Sequence, residues 1–276
     1  MPIEARLLLG WMTREMATLF LTSERIPPLT EQEAGDLWAQ YRERVEALLP
    51  EPLSESQPLS HSEKRTREMF LRHCYQQQKH DVEDVIKLDL GSLPVRQFRI
   101  IAPRSQNYEG MVRTRATWAT AALPTNTQEP DLQGTYNQTE NNTEAWFEIP
   151  HAEFVFPYTP DIRGFQIRQG DRWVTATRVE QRHILWSGYH RSLARLVNTI
   201  GDANERLALM ALTRSRLFDT PNQSPESTHA RAFCLRPRPP LLKDFLDAAL
   251  CMTVQLRKQK YYYHVKGELT ATEDAS

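Results

Sequence analysis

The segment RHILWSGYHRSLARLVNTIG, residues 182–201, constrains the fold more than any other stretch of the chain. His183, Ile184, Leu185 and Trp186 form a run with the length and apolar character of a buried strand. Ser187 and Gly188 break that run. Leu193, Ala194, Leu196 and Val197 then recur at the spacing of one helix face, so a helix is expected over 189–198. Ser187 is a natural N-cap, and Gly188 lets neighbouring backbone come close. A strand feeding a tight turn that feeds a helix demands a fold with both element types.

The same unit carries the main chemical signal. His190 and Arg191 fall in the first helical turn. There the orphan backbone N–H groups, the positive end of the helix dipole and the Arg191 charge point the same way, which is the recipe for an anion or phosphate site. An arginine in a first turn is also at home in water, so the mechanics leave a solvated Arg191 open beside the anion site. The candidate ligand-binding residues are Ser187, Gly188, Tyr189, His190 and Arg191, with Arg163 able to reach the same pocket. His190, Glu180 and Asp161 are the candidate catalytic groups, the two acids being the nearest that could act as a general base beside the imidazole. Nothing in the sequence orders them in space, so catalysis stays undecided.

Ser187-Gly188-Tyr189-His190-Arg191, after a buried strand and before an alanine-containing helix, resembles the G-x-H-R or D-G-H-H-R box of the ParB/sulfiredoxin superfamily. The likeness spans roughly residues 145–200 and is sharp at five positions. It implies a small mixed-sheet core and a pocket for nucleotide phosphates, as the box of the partition proteins provides. The ligand and any cofactor stay open; a nucleotide with Mg²⁺ is one candidate compatible with the resemblance. Tyr189 stands where sulfiredoxins carry their catalytic Cys, so thiol chemistry at this position is not expected. Ser187 stands where some members carry Asp. Phe156-Pro157-Tyr158-Thr159-Pro160-Asp161-Ile162-Arg163 replaces the Pro-rich start of the partition-protein domain, and no helix-turn-helix partner is visible.

Charge narrows the partners. Lys+Arg 34 against Asp+Glu 35 leaves a net charge of −1, so no global basic excess exists to coat nucleic acid, although a local basic site is compatible with it. DNA is therefore not supported by net charge. Eighteen Pro against ten Gly points to stiff connections. No apolar run approaches a membrane span, and the N-terminal patch MPIEARLLLGWMTREMATLFL is interrupted by Glu4, Arg6, Arg14 and Glu15. Cys74, Cys234 and Cys251 are distant and odd in number, which fits a reducing cytoplasm better than a disulfide framework.

The expected fold is α+β. Residues 1–80 read as a helical N-terminal region and residues 81–276 as an α+β domain of ParB/sulfiredoxin-like type. Thr30 and Glu33 have the spacing of a capping box ahead of the helical repeat Ala34, Leu37, Trp38, Tyr41, Val45 and Leu48. Further helices are expected over 62–78, 108–122, 203–216 and 241–250. Strands are expected at 85–90, 97–101, 146–149, 164–167, 172–177 and 182–186, with an exposed strand or hairpin over 252–265. The Asn/Thr/Gln-rich run near 124–143 offers little to bury and reads as a mobile insertion.

Other candidates are weaker. His151 and Glu153 could begin a metal site, but no further ligands stand at a standard spacing. Arg236-Pro237-Arg238-Pro239-Pro240 reads as a rigid connection or as a polyproline ligand for a protein partner. Lys258, Lys260, Tyr261, Tyr262, Tyr263 and His264 interleave bases and aromatics, a pattern that fits an alternating strand better than a base-stacking surface. The leading functional expectation is a nucleotide- or phosphate-ligand-binding protein. Its rivals are a non-catalytic protein-interaction protein and, by family analogy, a DNA-associated regulator or nuclease.

Overall fold

A computed structural model describes residues 3–76, 79, 81–102, 106, 109, 111–124, 134–139, 142–147, 152–155, 166–169, 173–199, 201–214, 231–257 and 265–267. The chain is α+β. It begins with strand β1 (Ile3–Leu7), in which Ala5 and Leu7 are buried. A 3-10 turn at Leu9–Trp11 leads to α1 (Arg14–Ser23), where the Thr13 hydroxyl accepts from the Met16 N–H. The short strand β2 (Arg25–Ile26) precedes α2 (Glu31–Glu46). The expected capping box forms there: Glu33 accepts from the Thr30 N–H at 2.8 Å, and Thr30 Oγ1 accepts from the Glu33 N–H at 3.2 Å. Helix α3 (His61–Gln76), strand β3 (Val82–Asp89), strand β4 (Arg99–Ile101) and helix α4 (Arg115–Ala122) follow.

Next come β5 (Gly134–Thr139), β6 (Asn142–Phe147), β7 (Ala152–Val155) and β8 (Gln166–Gln169). Then β9 (Thr175–Val179) and β10 (Arg182–Ser187) form a hairpin, α5 (Tyr189–Asn198) leaves it, and β11 (Leu207–Thr213), β12 (Met252–Leu256) and β13 (Val265–Gly267) complete the order. Residues 1–125 and 172–258 make one unit. It holds an antiparallel sheet of order β2-β12-β1-β4 and a mixed sheet of order β10-β9-β11-β3 in which β9 and β11 run parallel. Its larger core gathers Phe70, Leu88, Trp173, Leu185, Leu193 and Met210, with Phe70 set edge-on to Trp173 at 5.0 Å. Residues 126–171 and 259–276 make the other unit, whose strands pair as β13-β6-β5 and β7-β8.

Four expectations require correction. Residues 1–80 are neither wholly helical nor a separate region: β1 pairs with β12 and β4, both from beyond residue 80. Partners so distant leave no local signature, and a five-residue strand with two charges alternates too briefly to stand out. The helix expected over 203–216 is strand β11, flanked by β3 and β9. Leu, Ala and Met favour helix, yet a strand covered on both faces needs a continuous apolar run, and tertiary pairing overrides the propensity. The helix expected over 108–122 is broken: residues 111–114 are turn and bend, and the helix that reaches Ala122 starts at Arg115, where Thr114 and Thr117 close a cap. In the segment expected to be mobile near 124–143, β5 and the start of β6 pair antiparallel, while residues 125–133, 140 and 141 lie outside the described residues. Backbone ladder bonds can organise such a polar run without an apolar period.

Candidate functional site

Strand β10 ends at Ser187, and α5 starts on Gly188, which is the N-cap in a left-handed conformation with φ of 81°. A side chain at that position would be strained, and it would also collide: a Cβ there would lie 2.7 Å from Val174 Cγ2 and 2.9 Å from Val174 Cα. The expected strand–turn–helix junction is present. The cap residue differs from the expectation, because Ser187 belongs to the strand. Its hydroxyl donates to the Trp173 carbonyl at 2.8 Å and accepts from Thr175 Oγ1 at 2.9 Å, tying the end of β10 to the start of β9. Gly188 supplies no side-chain cap, so among the described residues no side chain answers the first amides of α5.

Each following residue has a structural contact. Tyr189 is buried and donates its hydroxyl to the Leu185 carbonyl at 2.7 Å, and burial pushes the phenol well above its ordinary value. His190 is half-buried, with Nε2 accepting from the Ile101 N–H at 3.3 Å. While that bond stands, Nε2 does not carry the proton, and it is not the nitrogen that would take one from a substrate. Arg191 donates through Nη1 to the Ala121 carbonyl at 2.5 Å. This places a positive charge at the C-terminal end of α4, where the helix dipole favours it. One turn on, Arg195 is fully buried and donates to the Val112, Arg113 and Glu205 carbonyls and to Glu205 Oε2, the last at 2.7 Å. Between these arginines, Ser192 is fully buried and its hydroxyl makes no hydrogen bond among the described residues.

The candidate acids do not converge on His190. Glu180 sits in the β9–β10 turn with a positive φ of 56° and pairs with Arg231 at 2.9 Å. The length of β10 separates it from the head of α5, roughly 20 Å at strand rise. Asp161 and Arg163 lie outside the described residues, as do His151, Lys258, Lys260, Tyr261, Tyr262, Tyr263 and His264; Glu153 falls in β7. Among the described residues no group of three or more His, Cys, Asp or Glu is placed to hold a metal ion. Cys74, Cys234 and Cys251 are buried thiols, and burial pushes Cys234 up to about 11 and Cys251 up to about 12.

Of the two readings of residues 236–240, the rigid connection is the one the contacts favour. Arg238, Pro239 and Pro240 are buried, and the Pro240 carbonyl accepts from the Val95 N–H at 2.9 Å. Arg238 grips Asp244 with two bonds of 2.9 and 2.7 Å and lies over the Trp11 ring. The segment is a connection clasped into the core, and its inner half offers no surface to a protein partner.

Sequence reasoning missed two features beside the turn. The β9–β10 register shifts between Leu185 and Ser187, so Trp186 lies at a β-bulge, a device that re-aims side chains. Arg96 from upstream of β4 lies over the Trp186 ring at 4.7 Å. Neither has a local sequence signal. What the fold and site define is an α+β protein whose mixed sheet delivers a glycine-started helix to a half-exposed, cation-bearing junction. No protein-family model, curated protein or solved structure matches the chain. Among the described residues no helix is long and apolar enough to cross a membrane.

Proposed function

We propose that the protein binds a phosphorylated ligand of nucleotide type at the head of α5. The observation that carries this reading is the uncapped helix start: α5 opens on Gly188, which lends no side-chain acceptor to the first amides, and the turn is only half-buried. An anion placed there meets backbone donors and the positive end of the helix. Ser192 supports it. Side chains on a helix tilt toward its N-terminus, so the Ser192 hydroxyl, one turn above Gly188 and without a hydrogen-bond partner among the described residues, leans toward the same end. The likeness of residues 187–191 to the ParB/sulfiredoxin box points the same way. Arg191 enters in a changed role. Its bond to the Ala121 carbonyl fastens α4 to α5 and fixes the guanidinium near the turn, so its charge contributes through position. The reading is one of binding.

The test is a thermal-shift series with inorganic phosphate and with nucleoside mono-, di- and triphosphates, each with and without Mg²⁺. A ligand present at a hundred times its Kd stabilises the native state by about 2.7 kcal/mol. Ser192→Ala separates ligand binding from folding. It removes a buried hydroxyl that makes no hydrogen bond among the described residues, so the unliganded protein should be as stable as wild type or more stable by about 1 kcal/mol. The ligand-induced shift should shrink. No shift with any phosphate compound, or an undiminished shift in Ser192→Ala and Arg191→Ala alike, would remove the site from this turn.

A further inference from the structure

A second, independent set of residues flanks the outer side of β10. Arg96, Arg182 and Arg236 come from three separated parts of the chain; the first two flank Cys234, and Arg182 bonds the Arg236 carbonyl. The charges of Arg96 and Arg182 both act on the Cys234 thiol, and Arg182 donates to the carbonyls of Cys234 and Arg236 at 3.2 and 2.7 Å. Arg96 and Arg236 are exposed, and Arg182 is half-buried. Among the described residues none of the three is paired with a carboxylate, whereas Arg67, Arg99, Arg195, Arg231 and Arg238 each are. Crowding is visible at Arg236, whose guanidinium is held below its ordinary value by burial and by the neighbouring charge of Arg42.

Aromatic rings are interleaved with these charges. Arg96 lies over Trp186, Arg236 lies over Phe233 at 4.9 Å, and Phe233 meets Phe98 edge-on at 5.0 Å. A guanidinium held over a ring is fixed in place at little further entropic cost. Its edge donors stay available to an anion, and its outer face can stack a base. We infer that this surface, formed by Arg96, Arg182 and Arg236 with Trp186 and Phe233, binds single-stranded nucleic acid. A phosphate chain meets the three forks, and bases stack on the guanidinium groups that the rings hold in place. An acidic peptide would use the charges and leave the flat faces idle, so the interleaving favours the nucleic acid.

The experiment is fluorescence anisotropy of a labelled single-stranded oligonucleotide, about fifteen nucleotides long, enough to cross such a site. If the three arginines each neutralise one phosphate, log K falls with log salt at a slope of about −2, roughly a twentyfold loss between about 50 and 200 mM salt. Arg96→Ala with Arg236→Ala should weaken binding at low salt and reduce that loss to about threefold. Both residues are exposed, so the melting temperature should hold. Arg96→Lys with Arg236→Lys should keep the salt slope but lose affinity, because an ammonium cannot stack as the guanidinium does. Arg191→Ala should leave strand binding intact, which separates this surface from the head of α5. Absence of binding, an unchanged slope in the double alanine variant, or wild-type affinity in the double lysine variant would each overturn the inference. So would a polyglutamate peptide that binds as tightly and with the same dependence on both arginines.

Discussion

Two sets of arginines within the larger unit are used in opposite ways. Arg195 and Arg238 are buried, and each is met by a carboxylate and by backbone carbonyls. Arg96, Arg182 and Arg236 reach solvent, and among the described residues no acid meets them. The difference explains how a chain with a net charge of −1 can present a basic face. Glu205, Asp244 and Glu51 are spent on arginines in or near the core, because a buried cation without a partner costs several kcal/mol. Acids committed inside cannot neutralise the surface elsewhere. Arg191 stands between the two classes, half-buried and bound to the carbonyl end of α4.

The sharpest way to break the comparison is to strip a buried arginine of its acid. Asp244 is pushed upward by burial against the pull of the Arg238 bonds and the Leu241 N–H. Asp244→Ala should cost about 3–5 kcal/mol in denaturant unfolding, since it strands the Arg238 charge in the core. Adding Arg238→Met should restore much of that loss. A double variant no more stable than Asp244→Ala would mean that the pair does more than neutralise itself. Next in size is Gly188→Ala, which adds a Cβ against Val174 at a positive φ and should cost about 3 kcal/mol. Arg191→Ala should cost at least about 1.5 kcal/mol from its charge-assisted bond to the α4 end, measured as a shift in the unfolding midpoint. A loss near that of Asp244→Ala would move Arg191 into the buried class.

How much of this was legible depended on the distance over which each signal acts. Helix α5 was readable because its apolar face repeats within ten residues, and the Thr30 and Glu33 cap because both partners lie in one turn. Strand β11 was not, since Leu, Ala and Met read as helix and only pairing with β3 and β9 decides otherwise. The site behaved likewise. The junction of residues 187–191 was visible as a strand–turn–helix pattern. The contacts that give Ser187, His190 and Arg191 their roles run to Trp173, Ile101 and Ala121. The stacking of Arg96 on Trp186 bridges two segments with nothing between them to link them in sequence.

The smallest effect tests whether cation crowding extends along β10. His183 is half-buried, and its imidazole is held below the ordinary histidine value, first by burial and then by the charge of Arg178. Its Nε2 is buried and has no hydrogen-bond partner among the described residues, so nothing there rewards a proton. The folded state therefore binds this proton less readily than the unfolded chain, whose histidine titrates at about 6.5. Stability from this group is fully present above that pH. It is lost as pH falls through the histidine range and past the lower folded value, because the unfolded state then carries the extra proton. Melting temperature should thus fall from about pH 8 to about pH 5, and His183→Gln should flatten part of that decline. The comparison is the difference between variant and wild type across the series, since other histidines titrate in both. If Arg178 supplies the charge, Arg178→Ala should flatten the decline in part while leaving the burial contribution. A decline unchanged by either substitution would show that His183 keeps its ordinary protonation in the fold and that the Arg178 charge does not reach its imidazole.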